Sequence, residues 1–486
     1  MDENLSLGGA GRGLALILIT ILLGPVGCGT GRSPRFEVVL NGGRVMDPAG
    51  GLDGIRSIGV SGGVIRAVSE NPLQGDRIID ASGLVVAPGF IDLHVHGQFE
   101  EMYRLQALDG VTTSLELEVG VDDVDRWYRE HEGKALIHYG VSAGHIPVRM
   151  AVFQDPGQFL PSGAAAQQPA KAAQVEEMAQ RLEEGLKAGA VAVGFGWAYT
   201  PAATMEEIVT MIGVAARYGA STHMHIGGGD DREAALERAL EAAERGGGAL
   251  HVVHINSSGG SSTRHLLERV GTAREQGRDV TTECYPYRAG MTRIESALFD
   301  DWKSWPESEF DRFQWVETGE RLRRESFGRY RKQGGEVIFH SNPEEVVAAA
   351  VEHPLTMIAS DGFLVNGRGH PRSAGTFARV LGHYVREKGS LSLMDALGKM
   401  TVQPARRLER RVPAMGKKGR IEVGADADLV VFDPQRIRDR ATYSDPTLPS
   451  EGVQYLLVGG VAVVAEGKLV EGIHPGRPVR APLGAP

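Results

Sequence analysis

The order of apolar runs and turns along this 486-residue chain predicts an α/β protein, a (β/α)8 TIM-like barrel carrying a small β-sandwich formed from both chain ends. Three observations lead there. Between Ala87 and Pro413 eight apolar segments of strand length recur, most of them followed by a helical stretch. On either side of that region the texture changes to short β-rich runs broken by turns. Histidines and acids stand at the ends of the apolar runs, where barrel strands deliver side chains to one rim.

Taken in order, residues 1–33 read as a targeting segment and linker. A single Arg12, the apolar run Leu14 to Leu23 and small residues ahead of Cys28 form a run too short for a spanning helix and suited to a secretory signal. The pattern is similar to a bacterial lipoprotein signal, in which Cys28 would carry lipid and tether the protein to a membrane. The expected location is therefore the cell envelope, periplasmic or membrane-anchored, and the cytoplasm if the segment is not a working signal.

Residues 34–87 supply the first part of the sandwich. Val38 to Leu40, Ser57 to Val60 and Val64 to Val68 are β-rich, with Asn41-Gly42-Gly43 and Gly62-Gly63 read as hairpin turns. The barrel is placed at 88–413, with strands Gly89 to Leu93, Val111 to Leu117, Leu136 to Val141, Val191 to Phe195, Ala220 to Met224, Leu250 to Ile255, Asp279 to Cys284 and Leu355 to Ala359. Between the fifth and sixth of these, Asp230-Asp231 opens a Glu- and Ala-rich helix that Gly246-Gly247-Gly248 closes, acids at its positive end. A Trp-, Phe-, Arg- and Glu-rich insertion at about 290–335 breaks the rhythm and is expected to form a lid or specificity wall. Residues 414–486 return to β texture in Asp428 to Phe432, Tyr455 to Val458 and Val461 to Ala465.

Composition narrows the function. Apolar content of 42% and charged content of 23% fit a globular protein with a sizeable core, and two cysteines rule out a disulfide framework. A net charge of −10 with scattered basic residues argues against nucleic acid as a partner.

The chemistry-bearing residues lie at strand ends. His94 and His96, two apart, present both imidazoles to one face and suit one metal ion. His223 and His254 each end a later apolar run. Asp361 follows the eighth strand, which neighbours the first in a closed barrel, so it would join His94 and His96 as a ligand and move the proton of an attacking water. Glu116 and Glu118 stand in an otherwise apolar second strand, a costly place for carboxylates unless they are paired or metal-bound.

At this point the residues reach a family. Pro88 to His96 resembles the opening signature of the amidohydrolase superfamily. Gly110 to Thr113, Tyr285-Pro286-Tyr287, Phe339-His340-Ser341, Ser360-Asp361-Gly362, His370 to Phe377, Lys399 to Thr401 with Pro404-Ala405, and Gly424 to Val430 together resemble its N-acyl-D-amino-acid deacylase (D-aminoacylase) branch. The resemblance runs from about Val38 to Pro478. It implies a zinc-bearing barrel with a split β-sandwich, one or two zinc ions, His94 and His96 at the first metal position, His223 and His254 at the second, and Asp361 as general acid and base. It also implies Arg372 as the holder of the substrate carboxylate, with Tyr285 and Tyr287 as companions.

Departures from that pattern are equally specific. The family's cysteine ligand after strand two is absent; Val119 stands in its place, so Glu118, or else Glu116, is expected to supply an oxygen ligand or bridge two metals. The fourth strand offers no lysine for a carbamylated bridge. His225 and Asn256 replace an arginine and a lysine of the substrate site, removing positive charge and leaving Arg372 to recognise the anion alone. The resemblance thus implies hydrolysis of small N-acyl-D-amino acids by metal-activated water. The alternatives are a D-specific dipeptidase or cyclic-amide hydrolase with the same ligands, and a non-catalytic envelope lipoprotein that keeps the fold for binding.

Overall fold

Eight parallel strands follow one another in a single sheet in sequence order. They are Phe90–Asp92, Val111–Val121, His138–Gly144, Val193–Gly196, Ser221–His225, Ala249–Val252, Val280–Cys284 and Thr356–Ile358. The computed structural model describes residues 35–227 and 231–484. Cys28 and the apolar run before it, read above as an export or lipoprotein signal, lie outside them. Each predicted barrel strand coincides with an observed one, shifted by a few residues. The near-continuous apolar runs arise because helices cover the outer face and packed side chains fill the inner one. Those helices carry the expected signals: Asp231 accepts a hydrogen bond from Ala234 N at 2.9 Å to start Arg232–Gly246, and Gly247 at φ +65° ends it.

The barrel closes between its eighth and first strands. Asp361 N donates to the His94 carbonyl at 2.7 Å, and His96 N to the Gly362 carbonyl at 2.8 Å. Beneath these bonds the buried Asp92 carboxylate accepts from His94 N at 3.1 Å and Ser360 N at 3.0 Å. Burial pushes this carboxyl up to about 6, while the bonds from Ser360 and His94 pull the other way.

Both chain ends build one mixed sheet of nine strands, in which Val85–Pro88 pairs with Leu429–Phe432 and so joins the N-terminal piece to the C-terminal one. One expectation fails. Asn41-Gly42-Gly43 is no hairpin turn but an irregularity inside the long strand Arg35–Asp47, whose pairing to Leu52–Ser61 shifts register between Leu40 and Gly43. Gly42 takes φ +73°, and a β carbon on Gly43 would come within 2.6 Å of Val86, so the glycines serve a bulge and a close approach. Gly62-Gly63, by contrast, is the expected tight turn, with φ of +62° and +72°.

The insertion forms a satellite unit with its own apolar core around Phe299, Phe310, Phe313 and Phe327. Its sheet pairs Ala289–Arg293 and Phe313–Trp315 with Glu336–His340.

Sheet and barrel are also pinned by a buried charge cluster. Asp428 accepts from His138 Nε2 at 2.9 Å, from Lys418 Nζ at 2.6 Å and from Gly459 N at 2.7 Å. These partners, His138 foremost, outweigh burial and hold its carboxyl far below the usual range. Asp428→Ala leaves Lys418 and His138 without this partner in the interior and is expected to cost about 3–5 kcal/mol. Chemical denaturation of the variant checks this; an unchanged midpoint would show that the cluster does not anchor the two sheets.

Candidate active site

The second strand sets the geometry. It is buried along Val111 to Val119 and breaks register between Glu116 and Val121, with Gly120 at φ +68°. A bulge of this kind re-aims side chains, and here it divides the two acids. Glu118 points to the barrel axis. Its Oε2 lies 3.0 Å from His94 Nε2 and 3.1 Å from His96 Nε2; its Oε1 lies 2.9 Å from His225 Nδ1 and 3.6 Å from His254 Nε2. One carboxylate therefore sits between two pairs of imidazoles. Glu116 stands behind His96, with Oε2 2.6 Å from its Nδ1 and Oε1 accepting from Val119 N at 3.0 Å.

The structure brings together His94, His96, His254, Glu118 and Asp361 as expected from sequence, and replaces one member. His225 occupies the place expected for His223. Both histidines face inward because they are two apart on one strand, but His223 lies one pleat deeper, its Nε2 3.1 Å from Ser221 Oγ and its ring 4.5 Å from that of His251. Burial, then His251, holds His223 well below the ordinary imidazole value. Strand four contributes no side chain at this level: a β carbon on Gly194 would stand 2.2 Å from the Glu118 carbonyl oxygen.

Asp361 faces the centre from strand eight. Its Oδ1 lies 3.3 Å from His96 Nε2 and 3.5 Å from His94 Nε2, and its Oδ2 lies 2.9 Å from Arg372 Nη1. Asp361 and His254 both hold positive φ, +52° and +32°, conformations that cost a non-glycine residue energy and that fix these side chains at strand ends.

The remaining sequence candidates move outward. Arg372 is only 1% exposed, lies over the Tyr285 ring at 4.6 Å and is committed to Asp361; it does not line the cavity, so the expected direct grip on a substrate carboxylate is not what this geometry presents. Tyr285 does line the cavity, together with Ser257, the hydrogen-bonding neighbour of its phenol. Tyr287 does not; it bonds Asp439 Oδ2 at 3.2 Å. Asn256, fully buried, donates to the Tyr285 carbonyl at 3.1 Å and so braces that loop instead of reaching substrate.

Sequence reasoning missed Glu283. Its Oε1 is 2.6 Å from His94 Nδ1 and its Oε2 3.0 Å from His251 Nε2, so it fixes the His94 ring from below. The available signal was the one used for Glu116 and Glu118, an acid inside an apolar strand.

Electrostatics describe a site built for a cation. Burial pushes the imidazoles of His94 and His96 down, but Asp361, Glu118 and Glu283 around the first, and Glu116 and Asp361 around the second, hold both well above the ordinary value. Burial raises Glu118, yet His94 and His225 hold its carboxyl well below the usual range. Such a set of anions in a dry interior requires compensating positive charge. Among the described residues, three overlapping groups have ligand atoms close enough to hold a metal: His94, His96 and Glu118; Glu118, His225 and His254; and His94, His254 and Asp361. Imidazole nitrogens with carboxylate oxygens are a donor set suited to zinc.

The centre opens into a cavity of about 600 Å³. Phe159 and Phe363 stack at 5.5 Å beside His96, and the insertion supplies Phe299, Trp305 and Phe339 to the far wall.

A family model described as "Amidohydrolase family" matches residues 77–137 and 148–464. The N-acyl-D-glutamate deacylase of Alcaligenes xylosoxydans xylosoxydans is 32% identical over 474 residues, covering 88% of this chain and 94% of that protein. The D-aminoacylase of the same organism is 28% identical over 494 residues, covering 92% and 98%. Among solved structures, N-acyl-D-glutamate deacylase from Bordetella bronchiseptica, complexed with zinc and a phosphonate mimic of the tetrahedral intermediate, matches with a TM-score of 0.79 at 28% identity, over 92% of this chain and 100% of that one.

Glu283→Gln removes the carboxylate that orients His94 while leaving every candidate ligand in place. It is expected to weaken zinc binding by about 10–100-fold, measured by competition with a metal buffer. Wild-type affinity in a folded variant would show that His94 needs no such support.

Proposed function

Because the chain belongs to the amidohydrolase family, we propose that this site hydrolyses the amide bond of N-acyl-D-amino acids. The observation that carries the reading is Glu118 set between His94 and His96 on one side and His225 and His254 on the other, with the Asp361–Arg372 pair facing the same centre. The similarity to deacylases of N-acyl-D-amino acids supports it.

His94, His96 and Glu118 would hold zinc at one position, and Glu118, His225 and His254 at a second, with Glu118 able to supply an oxygen to each where the cysteine ligand is missing. Bound zinc lowers the pKa of water to about 7 and polarises a carbonyl oxygen. The protein's own part is proton movement and positioning. Although burial disfavours the ionised form, Arg372 and His94 hold the Asp361 carboxyl below its ordinary value, so Oδ1 enters the reaction as a base. Oδ1 takes the proton of the attacking water and returns it to the leaving nitrogen, while Arg372 grips Oδ2 and keeps the carboxylate from turning. Tyr285 lines the cavity and is placed to contact substrate.

One observation favours a second reading on the same machinery. Arg372 is spent on Asp361 and Asn256 on the Tyr285 carbonyl, so no sequence-expected cation is presented to a free α-carboxylate. Cyclic amides of D configuration, which carry no free α-carboxylate, suit such a site, and a D-dipeptide would need another cation for its C-terminal carboxylate. Export to the cell envelope, with Cys28 as a tether, is part of the proposal and is supported by the N-terminal pattern alone.

The test is amine release by zinc-loaded protein on matched N-acetyl-D- and N-acetyl-L-amino acids. Turnover is expected on the D panel, and Asp361→Asn is expected to lower it by about 10²–10⁴-fold while zinc content stays near the wild-type level. Activity confined to dipeptides or cyclic amides would transfer the conclusion to the second reading. Full activity in Asp361→Asn would remove Asp361 from its role.

A further inference from the structure

The strand end and loop from His340 to Pro343 separate two cavities. On one side is the active-site cavity; on the other is a second one of about 570 Å³, and Ser341 lines both. Three arginines, Arg288, Arg321 and Arg379, line the second cavity, against a single carboxylate, Asp439. That carboxylate is already engaged, with Arg379 Nη1 and the Tyr287 hydroxyl each 3.2 Å away.

Arg288 and Arg321 have no carboxylate partner among the described residues; Arg321 reaches only the Asp311 carbonyl, at 3.3 Å. They converge on the same neighbours. Burial lowers the His340 imidazole to about 4, with Arg321 and Arg288 adding to the effect, and both arginines also act on the Tyr443 phenol, which lines the cavity and stands 4.8 Å from the His340 ring. Asn342, whose backbone N donates to the Arg288 carbonyl at 3.0 Å, lines the same cavity, is 3% exposed, and its amide Nδ2 has no acceptor among the described residues. Such a buried donor is costly to leave unmade. Both guanidinium groups are exposed and border the cavity with no carboxylate counter-charge of their own among the described residues. Planar guanidinium forks suit a carboxylate or phosphate, which would supply the missing counter-charge.

We propose that this second cavity is a binding site for a small oxyanion, a carboxylate or phosphate group, held by Arg288 and Arg321 with the Asn342 amide as a further donor. The inference goes beyond the hydrolase reading and does not depend on it. The group has two sources: a free anion, or a distal carboxylate of a substrate that extends past Ser341.

The test is calorimetric titration of the zinc-loaded full chain with inorganic phosphate and with citrate at constant ionic strength. Arg288→Gln/Arg321→Gln is expected to weaken binding at least about tenfold, and Arg288→Lys/Arg321→Lys to retain much of it, since charge is kept. Anion held at the metal centre would be unaffected by the Gln pair, so equal affinity in wild type and that variant overturns the proposal, as does absence of binding to wild type. The source is read from steady-state kinetics on whichever amide is turned over: a KM that rises in the Gln variant, with phosphate competing, identifies the substrate's own carboxylate, and an unchanged KM alongside phosphate binding identifies a free anion.

Discussion

Glu118 carries the burden of the site. A carboxylate 2% exposed in the middle of a barrel is tolerable only if charge and hydrogen bonds surround it, and four imidazoles from three strands do so. Much else in the neighbourhood is explained by the need to place that one group. The bulge after Glu116 turns Glu118 inward, and glycine at 194 lets the fourth strand come close to its carbonyl. Behind the ring of histidines stand further acids. Glu116 fixes His96, and Glu283 fixes His94, so each imidazole presents Nε2 to the centre.

This arrangement rests on a stiff frame. Asp92 ties the first strand to the eighth at Ser360, immediately below Asp361, so the barrel closes at the level of the carboxylate proposed to move the proton. The positive φ at Asp361 and His254 fits the same picture, since strained backbone persists only where surrounding structure enforces it. Over the rim the insertion brings an aromatic wall with its own core.

The barrel was legible because its signals are local: apolar runs of strand length, capped helices, and turn residues such as Gly247 with a positive φ. His94, His96, His254 and Asp361 were legible because each ends such a run. What was not legible depended on depth. His223 and His225 share one face of one strand, and nothing in a two-residue period tells which stands at the level of Glu118. Glu116 and Glu118 were indistinguishable for the same reason until the bulge divided them. Arg372 is a similar case: an arginine in the right motif, but spent on Asp361 behind Tyr285.

By itself, then, the amino-acid order determined the alternation of strands and helices, the joining of both ends into one β unit, and the chemical character of the site, since these follow from hydrophobic period and residue type. Only the tertiary structure decided which histidines and which glutamate meet, that Glu283 from the seventh strand stands under His94 from the first, and that Arg288 and Arg321 share a cavity. Those facts depend on register, bulges and ring closure, which bring together residues as distant in sequence as Asp92 and Ser360, 268 positions apart, through contacts no local pattern encodes.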